Sequence, residues 1–187
     1  LQNIPVRTEI GREIRRAFVA REGCVLVDGD YSQIELRVLA DMSGDEGLRR
    51  AFCSGEDVHT ATAASVFGVK KEEVTRRQRS EAKAVNFGIV YGIGAFSLAK
   101  DIGVTRAEAD SYIKGYLAHF SGVDRYMKEV IEKAKENGYV ETVFARRRYL
   151  PELRSSNGMM RAFGERVARN MPIQGTAADI IKIAMIR

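Results

Sequence analysis

Apolar positions along the 187-residue chain recur mostly at helical spacing, broken by one short apolar run and one alternating segment. The run at residues 24–27 (CVLV) ends at Asp28, Gly29 and Asp30. It reads as a buried strand that delivers Asp30 at its C-terminal end, with Cys24 in the core. A helix should follow. Ser32 can cap it, Glu35 completes an S-x-x-E box, and Ile34, Val38, Leu39 and Met42 share a face until Ser43, Gly44 and Asp45 end it. Residues 58–67 predict an Ala-rich helix and residues 72–91 a long one. Thr105 with Glu108 makes a second capping box ahead of the stripe Tyr112, Ile113, Tyr116 and Leu117. Ser121 can cap the next helix, with Val123, Met127, Val130, Ile131 and Ala134 inward and Asn137-Gly138 as its stop signal. Residues 139–143 alternate and are followed by residues 146–150, which predicts a β-hairpin. A last helix runs from about Gly158 to the end. Pro172 removes one amide donor inside it and should kink it. The fold class is therefore α+β, mostly α.

Composition adds a partner class. The net charge of +5 favours polyanions, of which nucleic acid is the commonest. No apolar run reaches membrane-spanning length, no signal peptide is visible, and the two cysteines, Cys24 and Cys53, form no CxxC, which fits a reducing cytoplasm. The chain begins at Leu1 and stops at Arg187 inside an apolar helical pattern, so both ends are expected to continue into a longer protein.

Two regions carry chemistry. Asp30, at the end of a buried run, is placed either to hold a hard cation such as Mg²⁺, which takes oxygen ligands and borrows some from phosphates, or simply to stabilise a helix start. Glu35 is explained by the capping box alone. The segment at residues 79–92, RSEAKAVNFGIVYG, is more specific. Arg79, Lys83, Phe87 and Tyr91 recur every four residues and lie along one slowly winding stripe of a helix. Cations can grip a triphosphate, Arg as a fork and Lys as a point charge, and aromatic faces can stack a sugar or base. Gly88 and Gly92 would let another surface approach.

This segment resembles motif B of family A DNA polymerases, and DYSQIELR at residues 30–37 resembles their motif A. LQNIPVR at the start, DVHTATA around His59, YLPEL at residues 149–153 and QGTAADIIK at residues 174–182 extend the resemblance over the whole chain. It implies a right-hand polymerase of the bacterial DNA polymerase I type: part of a palm with its β-sheet over residues 1–45, helical fingers over 46–155 with a small hairpin near 139–150, and a return to the palm over 156–187. It also implies a monomer that binds primer-template DNA and dNTPs in the bacterial cytoplasm.

Residue by residue, the resemblance implies that Asp30 ligates both of two Mg²⁺ ions, with the Tyr31 carbonyl assisting. Arg79 and Lys83 bind the triphosphate of the incoming dNTP with help from His59, and Lys83 can protonate the leaving group. Gln33 sits close to the triphosphate. Phe87 packs on the deoxyribose. Tyr91 stacks at the templating position and, with Glu35, closes the space a ribose 2′-hydroxyl would fill. Arg166, Asn170 and Gln174, again four apart, face the duplex near its minor groove, where acceptors recur in every base pair. Arg7 and the run Arg146, Arg147, Arg148 are candidate backbone contacts, the run being equally readable as a solvated hairpin tip. The family's second catalytic aspartate belongs to an HDE motif, which this sequence lacks. The chain alone is therefore expected to be inactive. A single-subunit RNA polymerase, which shares a related Lys-to-Tyr-Gly stripe, is disfavoured by Glu35, and a non-catalytic DNA-binding relative by Asp30, Arg79 and Lys83.

Overall fold

The computed structural model describes residues 4–5, 8–27 and 29–187. It divides into two compact units, Leu1–Ser32 and Gln33–Arg187. Arg7 and Asp28 lie outside the described residues.

Among its described residues the first unit holds one helix, α1 (Glu9–Arg16), whose N-cap Thr8 accepts a hydrogen bond from the Gly11 amide. The expected strand at residues 24–27 does not form. Val25 and Val27 are 81% and 90% exposed, and Cys24 is exposed as well, not in a core. A strand needs a hydrogen-bonded neighbour as well as an apolar run. The two strands among the described residues pair with each other, β1 (Tyr139–Glu141) with β2 (Arg147–Tyr149), antiparallel with Val140 opposite Arg148. Asp30 and Tyr31 follow in exposed, irregular chain.

The second unit is helical apart from that hairpin. Its helices are α2 (Ile34–Ser43), α3 (Glu46–Cys53), α4 (Val58–Phe67), α5 (Arg76–Tyr91), α6 (Ala95–Ile102), α7 (Arg106–His119), α8 (Ser121–Asn137) and α9 (Gly158–Ile186). Leu36 and Leu39 of α2, Val85 and Val90 of α5, Leu98 of α6, Tyr116 of α7, Val123 of α8 and Ile173 of α9 share one core. A second cluster joins Ile131 and Ala134 of α8, Val140 and Leu150 of the hairpin and Ala168 of α9. The fold is therefore mostly α with a small antiparallel sheet, as the apolar pattern predicts.

Three local expectations change. The cap of α2 is Gln33, in a left-handed conformation (φ 56°) and without a side-chain cap bond, so the Ser32–Glu35 box does not form. Glu35 is turned instead toward partners far along the chain. The long helix at residues 72–91 is split into a 3-10 turn at Lys71–Glu73 and α5, because Thr75 and Gln78 make a reciprocal capping box. Helix α8 starts at Ser121 itself, with Phe120 as its cap residue. The Thr105–Glu108 box and the Gly138 stop form as predicted. Helix α9 is continuous through the buried Pro172.

The start of α8 is fastened by Asp45. One carboxylate oxygen accepts from the Leu48 amide and caps α3. The other accepts from the Gly122 amide at 2.9 Å. A Cβ on Gly122 would lie 2.9 Å from the Asp45 Cα, which is backbone and cannot step aside. Gly122→Ala is therefore expected to destabilise the protein by about 1–3 kcal/mol through overpacking. Urea denaturation of the pair checks this, and an unchanged midpoint would mean that the two helix starts separate freely.

Candidate nucleotide and nucleic-acid site

Helix α5 turns Ala82, Val85, Ile89 and Val90 into the core. That leaves Arg79, Lys83, Phe87 and Tyr91 along the opposite, solvent-facing side, as the four-residue spacing predicts. Phe87 and Tyr91 stack at 6.3 Å between centroids with planes 17° apart. Lys83 is exposed and makes no ion pair among the described residues. Arg79 is half exposed and donates through Nε and Nη2 to the two carboxylate oxygens of Asp57, at 2.6 and 3.1 Å. Asp57 is also the N-cap of α4, accepting from the amide and hydroxyl of Thr60. Burial by itself would raise the Asp57 pKa. The hydrogen bonds from Arg79 and Thr60 and the Arg79 charge outweigh it and hold the carboxyl at about 2.

His59, the second residue of α4, is buried, with its ring 5.9 Å from that of Phe87. Burial pulls its pKa below the ordinary value, and the charges of Arg79 and Lys83 pull the same way against Asp57. The ring is therefore neutral near pH 7. Asn86, wholly buried on the inner side of α5, donates to His59 Nδ1 at 3.1 Å and exchanges hydrogen bonds with Thr62. With Nδ1 accepting, the neutral ring carries its proton on Nε2. Asp57, Thr62 and Asn86 were not among the residues expected from sequence. A polar Asn86 at a position where α5 faces inward was the available signal.

At the C-terminal end of α5, the Tyr91 hydroxyl donates to Glu35 Oε2 at 3.0 Å, and the Gln174 amide of α9 donates to Glu35 Oε1 at 3.3 Å. Burial first, then the hydrogen bond to Glu35 and the Glu35 charge, raise the Tyr91 pKa, so the phenol stays protonated and can donate. Three elements, α2, α5 and α9, thus fix one carboxylate by both oxygens. Gln33 stands two residues before it, at the left-handed entry to α2. Gly92 ends α5 with φ 64°, and a Cβ there would meet Arg166 of α9 at 3.5 Å, so α9 does approach the stripe at this glycine. The expected approach at Gly88 is made by Ile93 of the same segment.

A groove of about 750 Å³ runs from Tyr91 along α9 and the hairpin, lined by Arg166, Asn170, Gln174 and Arg146, Arg147 and Arg148. A second hollow of about 780 Å³ is bordered by Phe87, Gly88, Tyr91, Asp101 and Arg166, so Tyr91 and Arg166 belong to both. Within the arginine run the three side chains differ. Arg146 pairs with Asp179 at 2.9 Å and donates to the Gly175 carbonyl, and Arg147 pairs with Glu141 and lies over the Tyr139 ring. Arg148 is exposed and makes no ion pair among the described residues.

Asp30 and Tyr31 belong to the first unit and are exposed. Among the described residues no three His, Cys, Asp or Glu side chains gather to hold a metal ion. No described helix is long and apolar enough to cross a membrane.

Helix α5 thus presents a cationic and aromatic face beside a pinned carboxylate and a polar groove. The family model for DNA polymerase family A matches residues 1–187, so the chain belongs to that family. Three bacterial relatives illustrate the similarity. The chain is 57% identical over its whole length to DNA polymerase I of Pseudomonas aeruginosa, 57% to DNA polymerase I of Bacillus subtilis and 51% to the thermostable DNA polymerase I of Thermus filiformis. It spans 20–22% of the length of these relatives. Among solved structures it superposes on the POL domain of Pol1 from M. smegmatis in complex with DNA primer-template and dNTP, with a TM-score of 0.88 and 48% identity, covering all of this chain and 33% of that one.

Proposed function

We propose that this chain is the dNTP-selecting part of a DNA-directed DNA polymerase, which joins an incoming dNTP to a primer 3′-hydroxyl. The observation that carries the reading is the α5 face: two cations followed by two stacked aromatics, the last tied to Glu35. A dNTP aligned along it presents its triphosphate to Arg79 and Lys83 and its sugar to Phe87. Tyr91 and Glu35 stand where a 2′-hydroxyl would project. Neutral His59 can contribute a hydrogen bond but no charge. Gln33 lies near the triphosphate end. The duplex follows the groove, where Gln174, Asn170 and Arg166 meet base-pair edges in the minor groove and Arg148 meets phosphate. Arg7 would add a further backbone contact. Residues 1–45 and 156–187 then form palm, and residues 46–155 fingers that close as a unit on a correct nucleotide.

Asp30 and the Tyr31 carbonyl are oxygen donors of the kind Mg²⁺ takes, and dNTP phosphates can supply more. Bound there, the ions would activate the 3′-hydroxyl and stabilise the leaving pyrophosphate in an in-line displacement. The described residues fit part of such a two-ion site, since one acidic ligand stands without a cluster around it. Lys83, exposed and without an ion pair among the described residues, is the group that can pass a proton to the leaving phosphate.

The test is primer extension. The chain would be exchanged for the matching segment of the Pseudomonas aeruginosa polymerase, and the chimera offered dNTPs and NTPs separately, with the isolated 187-residue chain as control. Extension by the chimera with dNTPs alone, and none by the isolated chain, supports the reading. Extension with NTPs would sink the assignment to DNA synthesis, and DNA binding without extension would mean an architecture emptied of its activity.

A further inference from the structure

Arg79 and Lys83 share a face of α5, yet one is tied down and the other is not. The Arg79 head is engaged through a single edge, Nε and Nη2, by both oxygens of Asp57. A guanidinium offers five donors in a fixed plane, so this contact leaves the Nη1 edge with the outer hydrogen of Nη2 for a second planar partner. Asp57 is itself immobilised. It caps α4 through Thr60, and the start of α4 is joined to α5 through Asn86, which bonds both His59 and Thr62.

We propose that Asp57 is a positioning residue for the incoming triphosphate, acting through Arg79. This rests on the reading of Arg79 as a triphosphate ligand. An arginine free on its stem must lose rotamer freedom each time it grips a phosphate. Held by Asp57, the head is already oriented, with its open edge available before the nucleotide arrives. A facing carboxylate also withdraws some positive charge from the site. The bidentate geometry says that orientation outweighs this loss, because Asp57 occupies one edge of the fork and competes for no donor on the other. The two cations thereby divide the work: Arg79 is a fixed register for the phosphates, and Lys83 stays free to follow the proton.

The experiment is a double-mutant cycle read by pre-steady-state single-nucleotide insertion, in the full-length polymerase carrying this chain. The variants are Asp57→Ser, Arg79→Ala and the two together. Serine can still cap α4 but cannot supply two oxygens to a guanidinium. Asp57→Ser is expected to raise the apparent dNTP Kd roughly tenfold, the size of coupling seen between contacting charged groups. DNA affinity and melting temperature should hold. Arg79→Ala should weaken dNTP binding at least as much, and the double variant should match Arg79→Ala alone. Multiplying effects in the double variant, an unchanged or tightened Kd in Asp57→Ser, or an equal loss of DNA affinity would each overturn the proposal while leaving Arg79 as a triphosphate ligand. An unchanged Kd in Arg79→Ala would instead remove the reading on which it rests.

Discussion

Lys83→Ala is expected to slow nucleotide insertion at saturating dNTP by about 10²–10⁴-fold, the range general-acid groups supply, with little change in DNA affinity. The side chain is exposed on the α5 face and free of ion pairs among the described residues, so its ammonium is fully available to a phosphate. Its removal leaves no buried group unpaired and should not disturb the fold, which separates chemistry from stability. Lys83→Arg keeps the charge but presents a weaker acid in a wider head, and should restore binding more than rate. The measurement is single-turnover kinetics at several dNTP concentrations. If the loss falls in dNTP affinity with the maximal rate intact, Lys83 holds the triphosphate without donating a proton.

Glu35→Ala is expected to reduce discrimination between dNTP and NTP by about 10²-fold, mainly by allowing NTP insertion. The carboxylate cannot swing aside, since Tyr91 holds one oxygen and Gln174 the other. A rigid obstacle rejects a hydroxyl, whereas a mobile one would yield to it. Truncation removes the obstacle and loosens Tyr91 as well. Both donors are only partly buried, so water can replace the lost acceptor and stability should change by less than about 1 kcal/mol. Insertion efficiencies for matched dNTP and NTP pairs decide it. An unchanged ratio would show that selection against ribose lies elsewhere.

The contrast between what the sequence disclosed and what it hid turns on range. Helices α4, α7 and α8, the Thr105–Glu108 box and the Gly138 stop were legible because caps and apolar stripes are local. The α5 stripe was legible for the same reason. The failures concern groups with two competing uses. Glu35 has the spacing of a capping residue, but its partners lie 56 and 139 residues downstream, and they win because a left-handed Gln33 takes over the start of α2. Residues 24–27 have the apolar character of a strand and no neighbouring strand among the described residues. Asp57 reads as an ordinary helix cap, which it is. Nothing local announces that the same carboxylate also grips Arg79. The arginine run was ambiguous in sequence because only contacts with Asp179 and Glu141 distinguish two anchored members from Arg148.

The fastening of Gly122 by Asp45 joins points 77 residues apart and turns the intervening chain into a closed ring that contains the whole of α4 to α7. Closing a ring of that size costs configurational entropy that grows only as the logarithm of its length. A lone helix of sixteen residues such as α5 is marginal in water, and its local supports are a capping box and one Arg77–Glu81 pair. Burial of Val85, Ile89 and Val90 supplies the rest, and the Asp45 bond fastens the ends of the segment that carries this helix. Damage at that fastening would reach the proposed nucleotide site without touching a residue that lines it.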